Sequence, residues 1–418
     1  MTCTRRQFLR GALASAALTI TPLPILRSAS AASNAFPDKK FLVVVNLLGG
    51  NDGLNTIVPA HLQPYVDRRP ALNLLENSAE ALLDLDGRYR LHPALAGFKG
   101  MWDAGDLHVV HKVGYPNQNL SHFTSQNIYS FGVRDIGSNG DGRGWLGRFA
   151  DTYCADPVEP LGVVAVGMGR PKDVQADVTD ALTLDTVAGF DFREDRDWRT
   201  DHALRRIVAR RVLEDETPPE QPAALAVFGS GRQAHELAER VQSGTAGWVD
   251  PGTYPGTTLG NRLKEVSRLL HGRDDFGTKV FYTGFGGFDT HSDQLGRHAS
   301  LLAQLDGAVG AFADDMKAKG MWEDCVVVVI SEFGRRNFEN GSRGTDHGHG
   351  NAFFVAGGGV SGGAFTGDLV EADLEGNQPD FSYDFREVYA DLVENHLGVP
   401  PDPLFPETYP RTGDIRLL

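Results

Sequence analysis

The run Phe41-Leu42-Val43-Val44-Val45-Asn46-Leu47-Leu48, followed at once by Gly49-Gly50-Asn51-Asp52-Gly53, decides the fold. A stretch this apolar and this rich in valine suits a strand covered on both faces, as strands are in a mostly parallel sheet. The glycines that follow mark a sharp turn and bring Asp52 to the strand's carboxyl end. In open α/β sheets that end is where ligands bind.

Runs of the same kind recur at Leu107–Val113, Val163–Val166, Lys279–Thr283 (KVFYT), Val326–Ile330 (VVVVI) and Ala352–Ala356 (AFFVA). Between them lie helical patterns at Pro93–Ala104, Asp201–Glu216, Ala223–Gln242, Thr258–His271, Asp293–Lys319 and Asp384–Leu397. Strand and helix alternate, which predicts a doubly wound α/β architecture with helices flanking a central sheet. Residues 214–222 (EDETPPEQP) read as a flexible excursion. Residues 170–275 are therefore expected to be a helical insertion within one domain covering 32–418. The glycine run Gly357–Gly363 lacks the Gly-Lys-Ser/Thr ending of a phosphate loop and reads as a tight strand connection.

The first 31 residues have a different character. Thr4-Arg5-Arg6-Gln7-Phe8-Leu9 sets paired arginines before an uncharged stretch, Gly11–Ile25, and Ala29-Ser30-Ala31 offers a small-x-small cleavage site. That order is a twin-arginine export signal, so the translocase is the expected partner during export and the mature chain is expected to be periplasmic or secreted. The apolar stretch is short and broken by Pro22 and Pro24, so no stable membrane insertion is expected after cleavage. Residues 1–31 carry Arg5, Arg6, Arg10 and Arg27 and no acid, so removing them takes the net charge from −15 to −19. A body that acidic excludes nucleic acid and anionic lipid as natural partners, because their binding is driven by Lys and Arg. Cys154 and Cys325 allow one disulfide at most, not a disulfide scaffold.

Chemistry-bearing residues follow each strand. Beyond Leu107–Val113 comes Tyr115-Pro116-Asn117-Gln118-Asn119-Leu120-Ser121-His122, and beyond Lys279–Thr283 comes Gly286-Gly287-Phe288-Asp289-Thr290-His291, with His298 further on. Val326–Ile330 runs into Ser331-Glu332-Phe333-Gly334-Arg335, and Asp346-His347-Gly348-His349 precedes Ala352–Ala356. Taken singly, these are ordinary features: Asn51-Asp52-Gly53 can be a plain turn, Asp289 or Ser121 a helix cap. Jointly they place carboxylates and imidazoles at one sheet edge, a mixture that suits Zn²⁺, Mn²⁺ or Fe, with Mg²⁺ or Ca²⁺ favoured where carboxylates dominate.

These residues carry a resemblance. The arginine signal, LLGGNDGLNTIVP from Leu47, LHPAL from Leu91, VGYPNQNLSHF from Val113, GWLGR from Gly144, GGFDTHSDQ from Gly286, ISEFGRR from Ile330, GTDHGHG from Gly344 and DFREVYADLVENHLG from Asp384 resemble the bacterial domain of unknown function 1501. That family is grouped with the alkaline phosphatase-like superfamily, together with sulfatases and phosphodiesterases. The resemblance implies an alkaline phosphatase-like α/β fold and a site of one or two divalent ions with an activated hydroxyl. Asp52, Asp289, His291, His298, Glu332, His347 and His349 are then the implied metal ligands and Ser121 the implied nucleophile. Phe333 departs from the pattern, because an imidazole is expected beside the carboxylate.

The expected function is an exported, metal-dependent hydrolase of phosphate or sulfate esters, with small-molecule or polymer esters as substrates. Ser121 would attack, and Arg335, Arg336 or Arg343 would hold non-bridging oxygens, since a planar guanidinium fits such an anion. Asp346 and His122 are placed behind the ligands, where they would fix tautomers. Two alternatives stay open: a non-catalytic exported protein that binds a metal or a surface, and a metal hydrolase of amide or acyl groups with bound water as nucleophile. Asp52, Asp289, His347 and Glu332 are expected to converge on one point.

Overall fold

The structure is a computed structural model, and it describes residues 39–138, 141–155, 159–179, 181–190 and 221–418. The proposed export signal and the helical pattern at 201–216 lie outside the described residues.

Twelve strands are numbered in chain order: β1 (Phe41–Leu48), β2 (Ile57–Pro59), β3 (Leu83–Asp84), β4 (Tyr89–Leu91), β5 (Leu107–Gly114), β6 (Val163–Val166), β7 (Leu182–Leu184), β8 (Val280–Gly286), β9 (Cys325–Ile330), β10 (Asn351–Ala356), β11 (Ala364–Thr366) and β12 (Tyr383–Asp384). Nine of them form the central sheet, in the order β11-β5-β10-β9-β1-β8-β6-β7 with β12 beside β5, while β2, β4 and β3 make a small separate sheet. Every pairing in the central sheet is parallel except the two made by β10. The protein is thus a mixed α/β fold with a mostly parallel sheet flanked by helices.

The valine runs explain why the sheet is covered twice. Successive side chains of a strand point to opposite faces. Phe41, Val43, Val45 and Leu47 of β1 enter one core together with Val327 and Val329 of β9, beside helices Ala96–Ala104, Thr258–His271 and Gln294–Ala318. Leu42 and Val44, with Val326, Val328 and Ile330, enter the other core, beside helices His122–Phe131, Trp145–Tyr153 and Phe385–Asp391. Each such side chain contributes roughly 1.5–3 kcal/mol on burial, so the alternation fixes the strand's register against both layers. Cys154 and Cys325 are both buried and free. No helix of the described residues is long and apolar enough to cross a membrane.

The segment 170–275 is not helix alone. Leu182–Leu184 extends the sheet as β7, and helix Thr258–His271 packs on the sheet beside helix Gln294–Ala318. Apolar patterning at Leu182 spans too few residues to be told from a turn.

Two features of the topology position the site. β1, β5, β8 and β9 all end at the same edge, and β10, running the other way, begins there. The connection from β9 to β10 needs no crossover helix, so residues 331–350 stay on that edge as a long loop. Loops of this length without regular elements are usually functional. The loop folds back on itself: Gly334 N–H donates to His349 O, Gly348 N–H to Gly334 O and Arg336 N–H to Asp346 O. This brings His347 beside Arg335.

A further buried acid packs against the end of helix His122–Phe131. Asp173 is buried and accepts a hydrogen bond from Ser130 Oγ at 2.8 Å, and burial pushes its pKa up to about 6. A carboxyl raised on folding contributes stability that is fully present below its unfolded value and lost as pH rises through the folded one. The loss amounts to roughly 3 kcal/mol across that window. Asp173→Asn should therefore gain on the natural chain by about that much between pH 4 and pH 8 in urea denaturation. Parallel pH profiles for the two proteins would contradict the assignment.

Candidate metal centre

Glycine is required where β1 turns. Gly49 has φ of +121°, and a Cβ there would stand 2.5 Å from Asp289 N, so the backbone after β1 lies directly against the backbone after β8. Gly49 N–H then donates to Glu332 Oε1 at 2.9 Å. Three strand ends are tied together by these contacts before any side chain of the site is considered.

Asp289 Oδ1 is the point on which the others converge. Nε2 of His291 lies 2.9 Å away, Nε2 of His347 3.2 Å and Nε2 of His122 3.4 Å. Each ring is held from behind through Nδ1: His122 by Glu332 Oε1 at 2.8 Å, His347 by the Leu120 carbonyl at 2.6 Å and His291 by Asp346 Oδ1 at 3.2 Å. A carbonyl can only accept, so Nδ1 of the neutral His347 carries the proton and its Nε2 turns a lone pair toward Asp289. His122 and His291 each stand between two carboxylates, and with the proton on Nδ1 they too would present a lone pair inward. His122 Nε2 is buried and makes no hydrogen bond, and Nε2 atoms of His291 and His347 face each other at 3.0 Å. Nitrogens so placed beside a carboxylate need either shared protons or a cation among them. Ligands of one Zn²⁺ at ~2.0–2.2 Å would be separated by roughly 3–4 Å, so the residues present fit such an ion. The compact trio is His122, Asp289 and His347, whose candidate ligand atoms all lie within 4.8 Å of one another; His291 flanks it.

Electrostatics favour an ionised Asp289 and a neutral His347, and pull His122 toward its charged form. Burial works against ionising Asp289, but Arg335 offsets it and holds the carboxyl down at about 2. Burial likewise lowers the pKa of His347, keeping it neutral. The hydrogen bond to Glu332 raises that of His122. Glu332 is itself buried; burial pushes its pKa up, yet hydrogen bonds from His122, Gln126 and Gly49 leave it below its ordinary value. Phe333 packs its ring against both His122 and His347, with centroids 4.8 and 4.7 Å away. Where an imidazole was expected, the chain places an apolar wall that steadies two others.

The remaining sequence candidates are distributed differently. Glu332 stands behind His122, and it is His122, expected as the support, whose ring nitrogen lies with Asp289 and His347. The motif NLSHF held the signal for His122, but a histidine at the first position of a helix is not distinguishable by sequence from a surface one. Asp52 is fully buried and ion-paired with Arg69 at 2.7 Å. It is linked to the centre at one remove, through Gln294, Thr345 and Arg335, and is not among the atoms that converge. His298 is buried and bound to Asn51 Oδ1 at 2.9 Å through Nε2, away from the inward-facing rings. His349 is half-buried, and its backbone carbonyl pairs the two arms of the loop. Asp346 Oδ1 lies 3.2 Å from His291 Nδ1, on the side of the ring away from Asp289. Ser121 is exposed at the start of helix His122–Phe131, between Leu120, which holds His347, and His122; its hydroxyl caps no helical N–H.

The arginines divide as well. Arg335 is buried and spends its donors on Asp289 Oδ1 and on the carbonyls of Gly49, Gly50, Phe288 and Thr345. It is a structural cation, not a free clamp. Arg343 is exposed and paired with Asp293 at 2.7 Å. Arg336 keeps an unpartnered Nε and lies 3.7 Å from Asp346, so of the three it retains donors beside the centre.

Fold and site together define an α/β protein with a candidate metal centre at the carboxyl edge of its sheet. The chain belongs to the family described as protein of unknown function DUF1501, which matches residues 108–397. Comparison with curated proteins returns no match. Among solved structures, it is similar to a protein in the alkaline phosphatase superfamily from Vibrio parahaemolyticus, with 11% identity, 98% of this chain and 80% of that one covered, and a TM-score of 0.38. It is similar to the PsFucS1 sulfatase from Pseudoalteromonas sp., with 10% identity, 81% and 66% covered, and a TM-score of 0.36. It is also similar to the alkaline phosphatase from the Antarctic bacterium TAB5, with 10% identity, 85% and 98% covered, and a TM-score of 0.31.

Proposed function

We propose that the protein is an exported metal-dependent hydrolase of phosphate or sulfate esters, its cation held by His122, Asp289 and His347 with His291 alongside. The observation that carries this reading is the inward convergence of three Nε2 atoms on Asp289 Oδ1, each ring held from behind at Nδ1. A divalent cation supplies Lewis-acid polarisation of an ester oxygen and lowers the pKa of a hydroxyl or water nucleophile. The chain's own residues do the rest. Ser121 presents a solvent-facing hydroxyl next to His122. Arg336 offers N–H donors to an oxyanion, the geometry a guanidinium suits. Glu332, Asp346 and Leu120 hold the rings so that no ligand must reorganise.

The test is hydrolysis of model phosphate and sulfate mono- and diesters by the mature protein loaded with Zn²⁺, Mn²⁺, Mg²⁺ or Ca²⁺. Turnover that Ser121→Ala abolishes, at unchanged metal content, supports the reading. Bound metal with no turnover on any ester refutes it and leaves the non-catalytic alternative; full activity in Ser121→Ala points to water as nucleophile. Arg336→Ala should reduce kcat/KM by roughly 10- to 100-fold, the worth of one or two charge-assisted hydrogen bonds. An unchanged kcat/KM would remove Arg336 from the anion's surroundings. Export is supported by the paired Arg5 and Arg6 ahead of an uncharged stretch, and Arg5→Lys/Arg6→Lys should trap the chain in the cytoplasm.

A further inference from the structure

We infer that the site takes a single cation, because the Arg69 guanidinium permanently fills the second acidic position at the sheet edge, that of Asp52. This rests on the metal reading above. The two carboxylates that follow the central strands, other than Asp289, are both committed. Glu332 is surrounded by His122, Gln126, Gly49 N–H and Ser331. Asp52 is matched by Arg69, and neither side chain has any exposure. Arg69 is in turn fully engaged, donating to Asp52 and Asn55 through Nη1, to Asn337 O through Nε and to Arg336 O through Nη2. It cannot swing aside without leaving those acceptors unpaired.

Gln294 Nε2 completes Asp52 Oδ2, and Gln294 Oε1 is itself fixed by the hydroxyls of Thr290 and Thr345. Asp52 Oδ1 is left without a protein partner. One oxygen is not a metal site, though: among the described residues no set of three His, Cys, Asp or Glu side chains other than His122, Asp289 and His347 comes together closely enough to hold an ion. A cation at Oδ1 would also face a guanidinium bound to the sister oxygen of the same carboxylate. A water molecule there meets no such repulsion.

The experiment measures cation stoichiometry and affinity, by elemental analysis and calorimetric titration with Zn²⁺ and Mn²⁺, on the mature protein and on Asp52→Asn/Arg69→Gln. That pair removes both charges while keeping hydrogen-bonding shape. One ion per chain is expected in both proteins, with affinities within about two- to threefold, the usual coupling between sites that share no partner. His347→Ala, as the control, should lose binding by more than the ~100-fold that outer supports contribute. Two ions in the natural chain overturn the inference while leaving the metal reading intact. Loss of the ion in a folded double variant also overturns it, since Asp52 would then be a ligand. No ion in the natural chain overturns both. Should the double variant not fold, the stoichiometry of the natural chain decides alone.

Discussion

Arg335→Met is expected to lower unfolding stability by about 3–5 kcal/mol, read from urea denaturation midpoints. Its guanidinium is buried and joins three segments: the turn after β1 through Gly49 and Gly50, the turn after β8 through Phe288 and Asp289, and the returning arm of its own loop through Thr345. Methionine fills much of the volume but leaves Asp289 without its counter-charge and the carbonyls of Gly49, Gly50 and Thr345 without a donor. Breaking one partner of a buried charge pair is costly because the other stays buried and uncompensated. Added Zn²⁺ should restore part of the loss, since a cation at Asp289 replaces some of the missing positive charge. A variant as stable as the natural chain, with or without metal, would show that Arg335 does not hold these loops.

The second large effect concerns metal affinity. Glu332→Gln should weaken cation binding by roughly 10- to 100-fold while leaving the fold intact, because Glu332 sets the tautomer and direction of His122 without touching the ion. The amide can still accept from Nδ1–H, yet it no longer raises the basicity of the ring. Asp289→Asn should be more severe, since it removes the one carboxylate on which three imidazoles converge. Calorimetric titration separates the two. Equal losses would mean that Glu332 is itself a ligand, as the sequence alone suggests; no loss in Glu332→Gln would mean that His122 does not bind the cation. Chelation of the natural chain should lower its denaturation midpoint by the linked binding energy, and a midpoint insensitive to chelator would argue that no ion is held in the folded state.

Much of the architecture was legible because its signals are local. Six apolar runs rich in β-branched residues became β1, β5, β6, β8, β9 and β10, and five of the six helical patterns became helices; the sixth, at 201–216, lies outside the described residues. The antiparallel sense of β10 was not legible, since a strand's composition carries its burial but not its direction. β7 and the small sheet of β2, β3 and β4 were missed because two or three residues give no period to read.

The sequence by itself determined the class of fold, the export signal as an expectation, and the edge of the sheet at which chemistry gathers, since chain order alone puts Asp289, Glu332 and His347 just beyond or before strands. Which of those residues face one another was decided by the tertiary structure. Asp52 and Glu332 look alike in sequence, each a carboxylate just past a valine-rich strand. Arg69, seventeen residues away from Asp52, closes the first, and His122, over two hundred residues from Glu332, claims the second. A buried carboxylate must find a positive or hydrogen-bonding partner, and which partner arrives depends on how distant loops pack, information that no single stretch of the chain contains.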